Sequence, residues 1–110
     1  MVKHRLQIIG TDTAVGKTQV TLAMMAAIKQ LEATVLASKP VATGWRSARL
    51  VENEDAVELR STASSLIPYS EVNPCCLKDP LSPNISANKA GVSLSAIELQ
   101  QSFRPFLSRK

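Results

Sequence analysis

Glycine and aromatic residues are scarce in this 110-residue chain, which has 4 Gly, 1 Trp, 1 Tyr and 2 Phe. Four glycines beside 6 prolines exclude collagen-like and low-complexity classes, which need far more of both. Trp45, Tyr69, Phe103 and Phe106 do not alternate with a basic stripe, so no stacking platform for nucleic acid is present. Cysteine is limited to the adjacent pair Cys75 and Cys76, a spacing that fits no structural zinc site, and the lone His4 lies far away. Ordinary reduced thiols, as in a cytoplasmic protein, are the expectation. No apolar run approaches the roughly 18 residues of a membrane span. The basic start from Met1 to Arg5 is followed only by Leu6 to Ile9 before Gly10, too short for a signal-peptide core. Neither a nucleic-acid nor a membrane partner is expected, and the expected location is cytoplasmic.

What is present points to one folded unit. The chain is 45% hydrophobic and 20% charged with a net charge of +4, outside the disordered class. Its length supports a single domain over residues 1–110 and no second core. The 13 basic residues exceed the 9 acidic ones, but five of them (Lys3, Arg5, Arg104, Arg109 and Lys110) sit at the two ends. The remainder are scattered as on a solvated surface.

Leu6 to Ile9 reads as a short buried strand that ends at Gly10. Thr11 to Gly16 has a loop composition. From Lys17 to Leu31, Val20, Met24, Ala27, Ile28 and Leu31 recur at helical spacing, which predicts a helix with Met24 and Met25 as core filler. Thr34 to Ala37 reads as a second strand, before Pro40. Strand, loop, helix and strand make a βαβ unit and imply a parallel sheet. Asn53 to Ala63 is predicted as a helix with Asn53 as its N-cap. Four prolines between Leu66 and Ala90 predict mostly loop there. Ser95-Ala96-Ile97-Glu98 matches a capping box, opening a helix that Pro105 should end.

The chemistry-bearing stretch is Gly10-Thr11-Asp12-Thr13-Ala14-Val15-Gly16-Lys17-Thr18. A loop between a strand and a helix converges backbone N–H groups on an anion, and the helix start adds its positive dipole end. Gly16 permits the tight turn, Lys17 brings a charge to the outer phosphates and Thr18 offers a hydroxyl to magnesium. One departure from the standard spacing is Thr11, with its glycine one residue earlier at Gly10. The predicted fold class is therefore α/β, a P-loop NTPase-like parallel sheet flanked by helices.

In this loop the chain resembles the dethiobiotin synthetases, whose phosphate loop reads G-T-D-T-x-V-G-K-T. Lys39-Pro40-Val41-Ala42-Thr43-Gly44, Asn53-Glu54-Asp55-Ala56, and Val72-Asn73-Pro74 with Ser82-Pro83-Asn84 extend the likeness in order. The resemblance implies an ATP- and Mg2+-dependent ligase of biotin biosynthesis. Such enzymes join CO2 to 7,8-diaminononanoate as a carbamate, phosphorylate it from ATP, and close the ureido ring as the second amine displaces phosphate. It further implies that Ala14, Val15, Gly16, Lys17, Thr18 and Gln19 wrap the ATP phosphates, and that Asp55 belongs to the nucleotide site. Thr18 and Asp55 would hold magnesium, and Thr13 and Thr43 would contact substrate. Lys39 and Lys17 would be catalytic.

Taken one by one, these residue types suit those tasks. A lysine after a parallel strand lies at the ligand-binding edge of such a sheet, where it can neutralise developing charge. A carboxylate is a hard oxygen ligand suited to magnesium. Homodimerisation is expected by analogy with the family.

The family is about twice as long, so the resemblance corresponds to its N-terminal half and to an apparently truncated sheet. The other half carries a Glu-Gly-x-Gly-Gly motif, whose glutamate is another magnesium ligand, and the segments that recognise adenine. An exposed strand edge, and with it a marginal or oligomer-dependent fold, is the structural expectation. Asn84 stands where the family usually has His. The competing expectations are a non-catalytic remnant that binds nucleotide phosphate, and another P-loop enzyme of the cobyrinate amidase type.

Overall fold

The computed structural model describes residues 4–9, 16–46, 49, 51–80, 82–92 and 94–109. Helix α1 (Lys17–Gln30) begins after Gly16, whose φ of 82° is a left-handed conformation that suits glycine. Strand β1 (Val41–Thr43) pairs in parallel with β2 (Cys75–Leu77), in the register Val41↔Cys75, Ala42↔Cys76 and Thr43↔Leu77. The crossover between them carries α2 (Glu54–Thr62) and α3 (Tyr69–Val72). Parallel strands need such a connection, because a tight hairpin cannot join them. Helix α4 (Pro83–Ala90) packs against both strands, and α5 (Ala96–Leu107) packs on α3. The protein is thus α/β, with a small parallel sheet flanked by helices.

The core centres on Ala56, Ile67 and Val72, against which Leu36, Tyr69 and Phe106 pack. Ala42 and Leu77 bury the middle of β1 and the end of β2, while Met25 and Leu59 fill the α1–α2 contact side. Burying side chains of this size contributes on the order of 1.5–3 kcal/mol each for the larger ones.

The structure corrects several expectations from the sequence. Leu6 to Ile9 is not a strand, and Leu6 and Ile9 are exposed. A strand exists only through its ladder, and the described sheet consists of β1 and β2 alone. Thr34 to Ala37 is irregular as well. Val35 is held instead by Ser64, whose N–H donates to the Val35 carbonyl at 2.9 Å and whose hydroxyl accepts from Val35 N–H at 2.8 Å. The ladder starts past Pro40, which lacks a donor but whose carbonyl accepts from Cys75 N–H at 3.0 Å.

Leu66 to Ala90 is not mostly loop, since it contains α3, β2 and α4. Three of its four prolines mark the starts of elements. Pro68 is the N-cap of α3, Pro74 precedes β2, and Pro83 opens α4, where a missing N–H costs nothing. Pro105 does not end α5 but lies in its last turn. Ser95 does cap that helix, accepting from Glu98 N–H at 3.1 Å.

In α1 the inward face is Thr18, Thr21, Leu22, Met25 and Ile28, rotated from the stripe read in the sequence. Val20, Met24 and Leu31 are 50%, 37% and 80% exposed, so Met24 is not core filler while Met25 is. The helix has no charged residue from Thr18 to Ile28, so its apolar pattern alone leaves the inward face undetermined. The α2 contact sets that face.

Candidate functional site

Three segments converge beside the start of α1. Thr18, in its first turn, donates from Oγ1 to Oδ2 of Asp55 at 3.1 Å. Lys39 follows an irregular stretch and precedes β1, rather than ending a strand as expected from the sequence, and it donates from Nζ to the same carboxylate oxygen at 3.1 Å. Asp55 stands in the first turn of α2, where a carboxylate opposes the positive end of the helix dipole. The two charged side chains are 31% and 45% exposed, so water and solute can still reach them.

Asn53 fixes the entrance to α2. Its Oδ1 accepts from Ala56 N–H at 3.2 Å, and its Nδ2 donates to the carbonyls of Thr43 at 3.0 Å and Gly44 at 3.2 Å. The β1 end and the α2 start are thereby clamped together. Between them lies a cleft of about 330 Å³ lined by Thr43, Gly44, Trp45, Arg46, Asn53, Glu54 and Asp55. Gly44, at φ 95°, turns the chain out of the strand into this cleft. The Trp45 indole N–H donates to the Cys76 carbonyl at 3.2 Å, which docks the cleft wall onto β2.

Of the residues singled out in the sequence, Thr18, Lys39 and Asp55 come together, and Thr43 shares the cleft with Asp55. Lys17 is half-buried at the opening of α1, and Gln19 is exposed beside it. Gly16 is the N-cap, with no side-chain capping bond at that end and no acidic residue in the first turn. Such a helix start keeps its positive end available to an anion. Thr13, Ala14 and Val15, with Gly10 to Asp12, lie outside the described residues. Asn84 is exposed on α4.

The donor chemistry suits a hard cation. Neighbouring ligands of an octahedral magnesium at about 2.0–2.1 Å lie about 3.0 Å apart, and the Thr18 and Asp55 oxygens are 3.1 Å apart. Among the described residues, no group of three or more His, Cys, Asp or Glu forms a metal cluster. Magnesium fits that sparse set, since it commonly uses one or two protein ligands plus substrate phosphates.

Sequence reasoning missed the polar groups behind these residues. In the sequence Tyr69 is one of four scattered aromatics, yet its hydroxyl donates to Asn73 Oδ1 at 2.7 Å and accepts from Asn53 N–H at 2.8 Å. Burial pushes this phenol up to about 12 from its ordinary 10.0. The Asn-Pro dipeptide at Asn73 was the one signal of a fixed turn in that region. Burial also raises both Cys75 and Cys76, which makes them poor nucleophiles at neutral pH.

An α/β chain with a parallel strand pair and a helix opening on Gly-Lys-Thr matches one family model. The chain belongs to that family, AAA_26, an AAA domain, over residues 4–107. Its curated relatives are more particular. It is 37% identical over 97 residues to the ATP-dependent dethiobiotin synthetase BioD of Marinobacter nauticus, covering 87% of this chain and 42% of that protein. The protein of the same name from Pseudomonas aeruginosa strain UCBPP-PA14 is 34% identical over 102 residues, covering 92% and 45%. That of Aromatoleum aromaticum is 38% identical over 96 residues, covering 86% and 42%. The likeness to dethiobiotin synthetases read from the four segments is therefore borne out, and the chain spans a little under half the length of these relatives. Among the described residues, no helix is long and apolar enough to cross a membrane.

Proposed function

We propose that the chain binds ATP with magnesium at the start of α1 and serves the ATP-dependent carboxylation and ureido ring closure of 7,8-diaminononanoate to dethiobiotin. The observation that supports this most is the meeting of Thr18 and Lys39 on one Asp55 oxygen, each at 3.1 Å, beside the start of α1. The relatives' printed name gives the reaction class.

In this reading the loop from Ala14 to Gln19 holds the phosphates through its backbone N–H groups, and the Lys17 ammonium binds the outer ones. Thr18 and Asp55 hold magnesium, which when bound supplies charge neutralisation to the β- and γ-phosphate oxygens. The Lys39 ammonium is tethered to Asp55 and faces the same space. It neutralises the carboxylate that forms on the amine and then the charge that develops as the phosphoryl group moves. Thr13 and Thr43 contact the diamine, the Thr43 hydroxyl being able to donate or accept. CO2 or bicarbonate is the second substrate. The chain acts as a single domain over residues 1–110 in the cytoplasm, as a homodimer, without nucleic-acid or membrane partners.

The test is ADP release from the purified chain with magnesium, ATP and bicarbonate, with and without the diamine. Diamine-dependent release that disappears in Lys17→Ala is the expected result. Absence of release overturns the catalytic reading. Magnesium-dependent nucleotide binding without release would instead support a phosphate-binding chain that does not turn over.

A further inference from the structure

Lys39 precedes strand β1, Thr43 ends it, Asp55 lies in the first turn of α2, and one phenol stands behind both segments. The Tyr69 hydroxyl accepts from the backbone N–H of Asn53 at 2.8 Å and donates to Asn73 Oδ1 at 2.7 Å. On one side, Asn73 Nδ2 donates to the Lys39 carbonyl at 2.8 Å and to the Cys75 carbonyl at 3.0 Å. On the other side, Asn53 caps α2 through Ala56 and holds the Thr43 and Gly44 carbonyls. Asn53 and Asn73 are only 8% and 3% exposed. Every buried side-chain nitrogen or oxygen among the described residues has a partner, these amides included.

We propose that Tyr69 is a positioning residue for the Lys39–Asp55 pair. Its hydroxyl joins the backbone of Lys39 to the capped turn that carries Asp55, and so sets the distance between the two charged groups. The pair cannot set that distance unaided. An ion pair this exposed is weak, and a lysine has four flexible side-chain torsions to spend its freedom on. The spacing must therefore come from the backbones, which the Tyr69 relay ties together on the Lys39 side as the Asn53 clamp does on the Thr43 side. The hydroxyl uses one donor and one acceptor function, so phenylalanine can replace neither bond. The ring itself packs against the Ala56, Ile67 and Val72 cluster, which fixes the oxygen in space. The Lys39 backbone has a second tie to the same region, from its N–H to the Val72 carbonyl at 2.8 Å. Ser38 Oγ donates to that carbonyl as well, at 2.8 Å. Loss of the relay should therefore loosen the site without unfolding it. Satisfied buried networks of this kind specify a single arrangement.

The catalytic meaning of the inference rests on the proposed function, but the geometry can be tested apart from it. The experiment is competitive lysine acylation with acetic anhydride on the full 110-residue chain, read residue by residue by mass spectrometry at one fixed pH. Wild type is compared with Tyr69→Phe and with Asp55→Asn, and the exposed Lys78 and Lys89 serve as internal controls. The expected result is that Tyr69→Phe raises the Lys39 rate about two- to threefold relative to the controls, towards the Asp55→Asn value, as release from a weak ion pair should. An unchanged Lys39 rate overturns the proposal. An equal rise at all three lysines also overturns it, because general loosening is a structural effect.

If Tyr69→Phe does not fold, Asn73→Asp replaces it. That variant keeps the acceptor for the phenol and removes the amide donor to the Lys39 carbonyl, and the same rise at Lys39 is expected. Failure of both variants to fold would assign the network to the core and overturn the proposal. Diamine-dependent ADP release is measured separately, so the activity and the positioning role can fail independently.

Discussion

The Thr18 hydroxyl and the Asp55 carboxylate meet at 3.1 Å across 37 residues of chain. They join the start of α1 to the start of α2, two helix ends whose dipoles both favour negative charge. If this oxygen pair holds magnesium, Asp55→Asn should weaken magnesium-dependent ATP binding by about tenfold to a hundredfold, the usual range for losing one strong charged contact. Calorimetric titration with and without magnesium checks this. Binding without the metal should change far less.

Asn53 combines a helix cap with a clamp on two strand-end carbonyls. Asn53→Ala should cost about 1–2 kcal/mol for the cap, and more for the unpaired buried carbonyls. Asn53→Asp keeps the cap and loses only the clamp, so it should be the milder variant. Urea unfolding followed by circular dichroism orders the two.

Tyr69 is the only tyrosine in the chain, so its ionisation can be followed directly by absorbance near 295 nm. The midpoint should lie at about 12 rather than at 10.0. Burial is the main cause, with the Cys76 thiol 4.0 Å away and Glu52 adding smaller upward effects. The folded value lies above the unfolded one, so the phenol's contribution to stability is complete below pH 10. That contribution is then lost as the pH rises towards 12. Tyr69→Phe should flatten this limb of the stability profile.

Gly16→Ala isolates backbone conformation from packing, because a Cβ there would meet nothing within 4 Å while φ stays at +82°. The expected cost is about 1–2 kcal/mol, that of forcing an L-residue into the left-handed region. A thermal melt measures it. The first turn of α1 should fray, and phosphate binding should weaken with it.

Val20 and Met24 on the outward side of α1 and Leu31 at its C-cap are exposed, with Lys29 the one charge between Val20 and Leu31. Apolar surface of this kind drives association. Gel filtration over a concentration series should show self-association, reduced in the double variant Val20→Lys, Leu31→Glu.

The helix caps were more legible in the sequence than the sheet was. Lys39 and Asp55 were named through the likeness to dethiobiotin synthetases, to which their places after an expected strand and behind a capping asparagine, both local signals, added support. Asn53 and Ser95 were readable as caps from such local signals, and both accept the expected backbone N–H. Strand pairing is not local. Leu6 to Ile9 and Thr34 to Ala37 have strand composition, yet the ladder forms between Val41–Thr43 and Cys75–Leu77. Composition gives a segment's taste for an extended backbone and says nothing of which partner it finds. The same limit hid Tyr69, whose role depends on two asparagines 16 and 4 residues away. The prolines misled for a different reason, since each could open an element as readily as interrupt one.

The bond from Asn73 to the Lys39 carbonyl closes a span of 34 residues. Closing a loop of that size costs about 3 kcal/mol in chain entropy beyond a constant, with no reward until its ends meet. The helices can form early from contacts near in sequence, whereas the lysine acquires its place only when β1 and β2 have docked. The Lys39–Asp55 pair should therefore assemble late in the folding of this chain. Any intermediate that keeps its helices but lacks the strand pair would look folded by circular dichroism and still carry no assembled site.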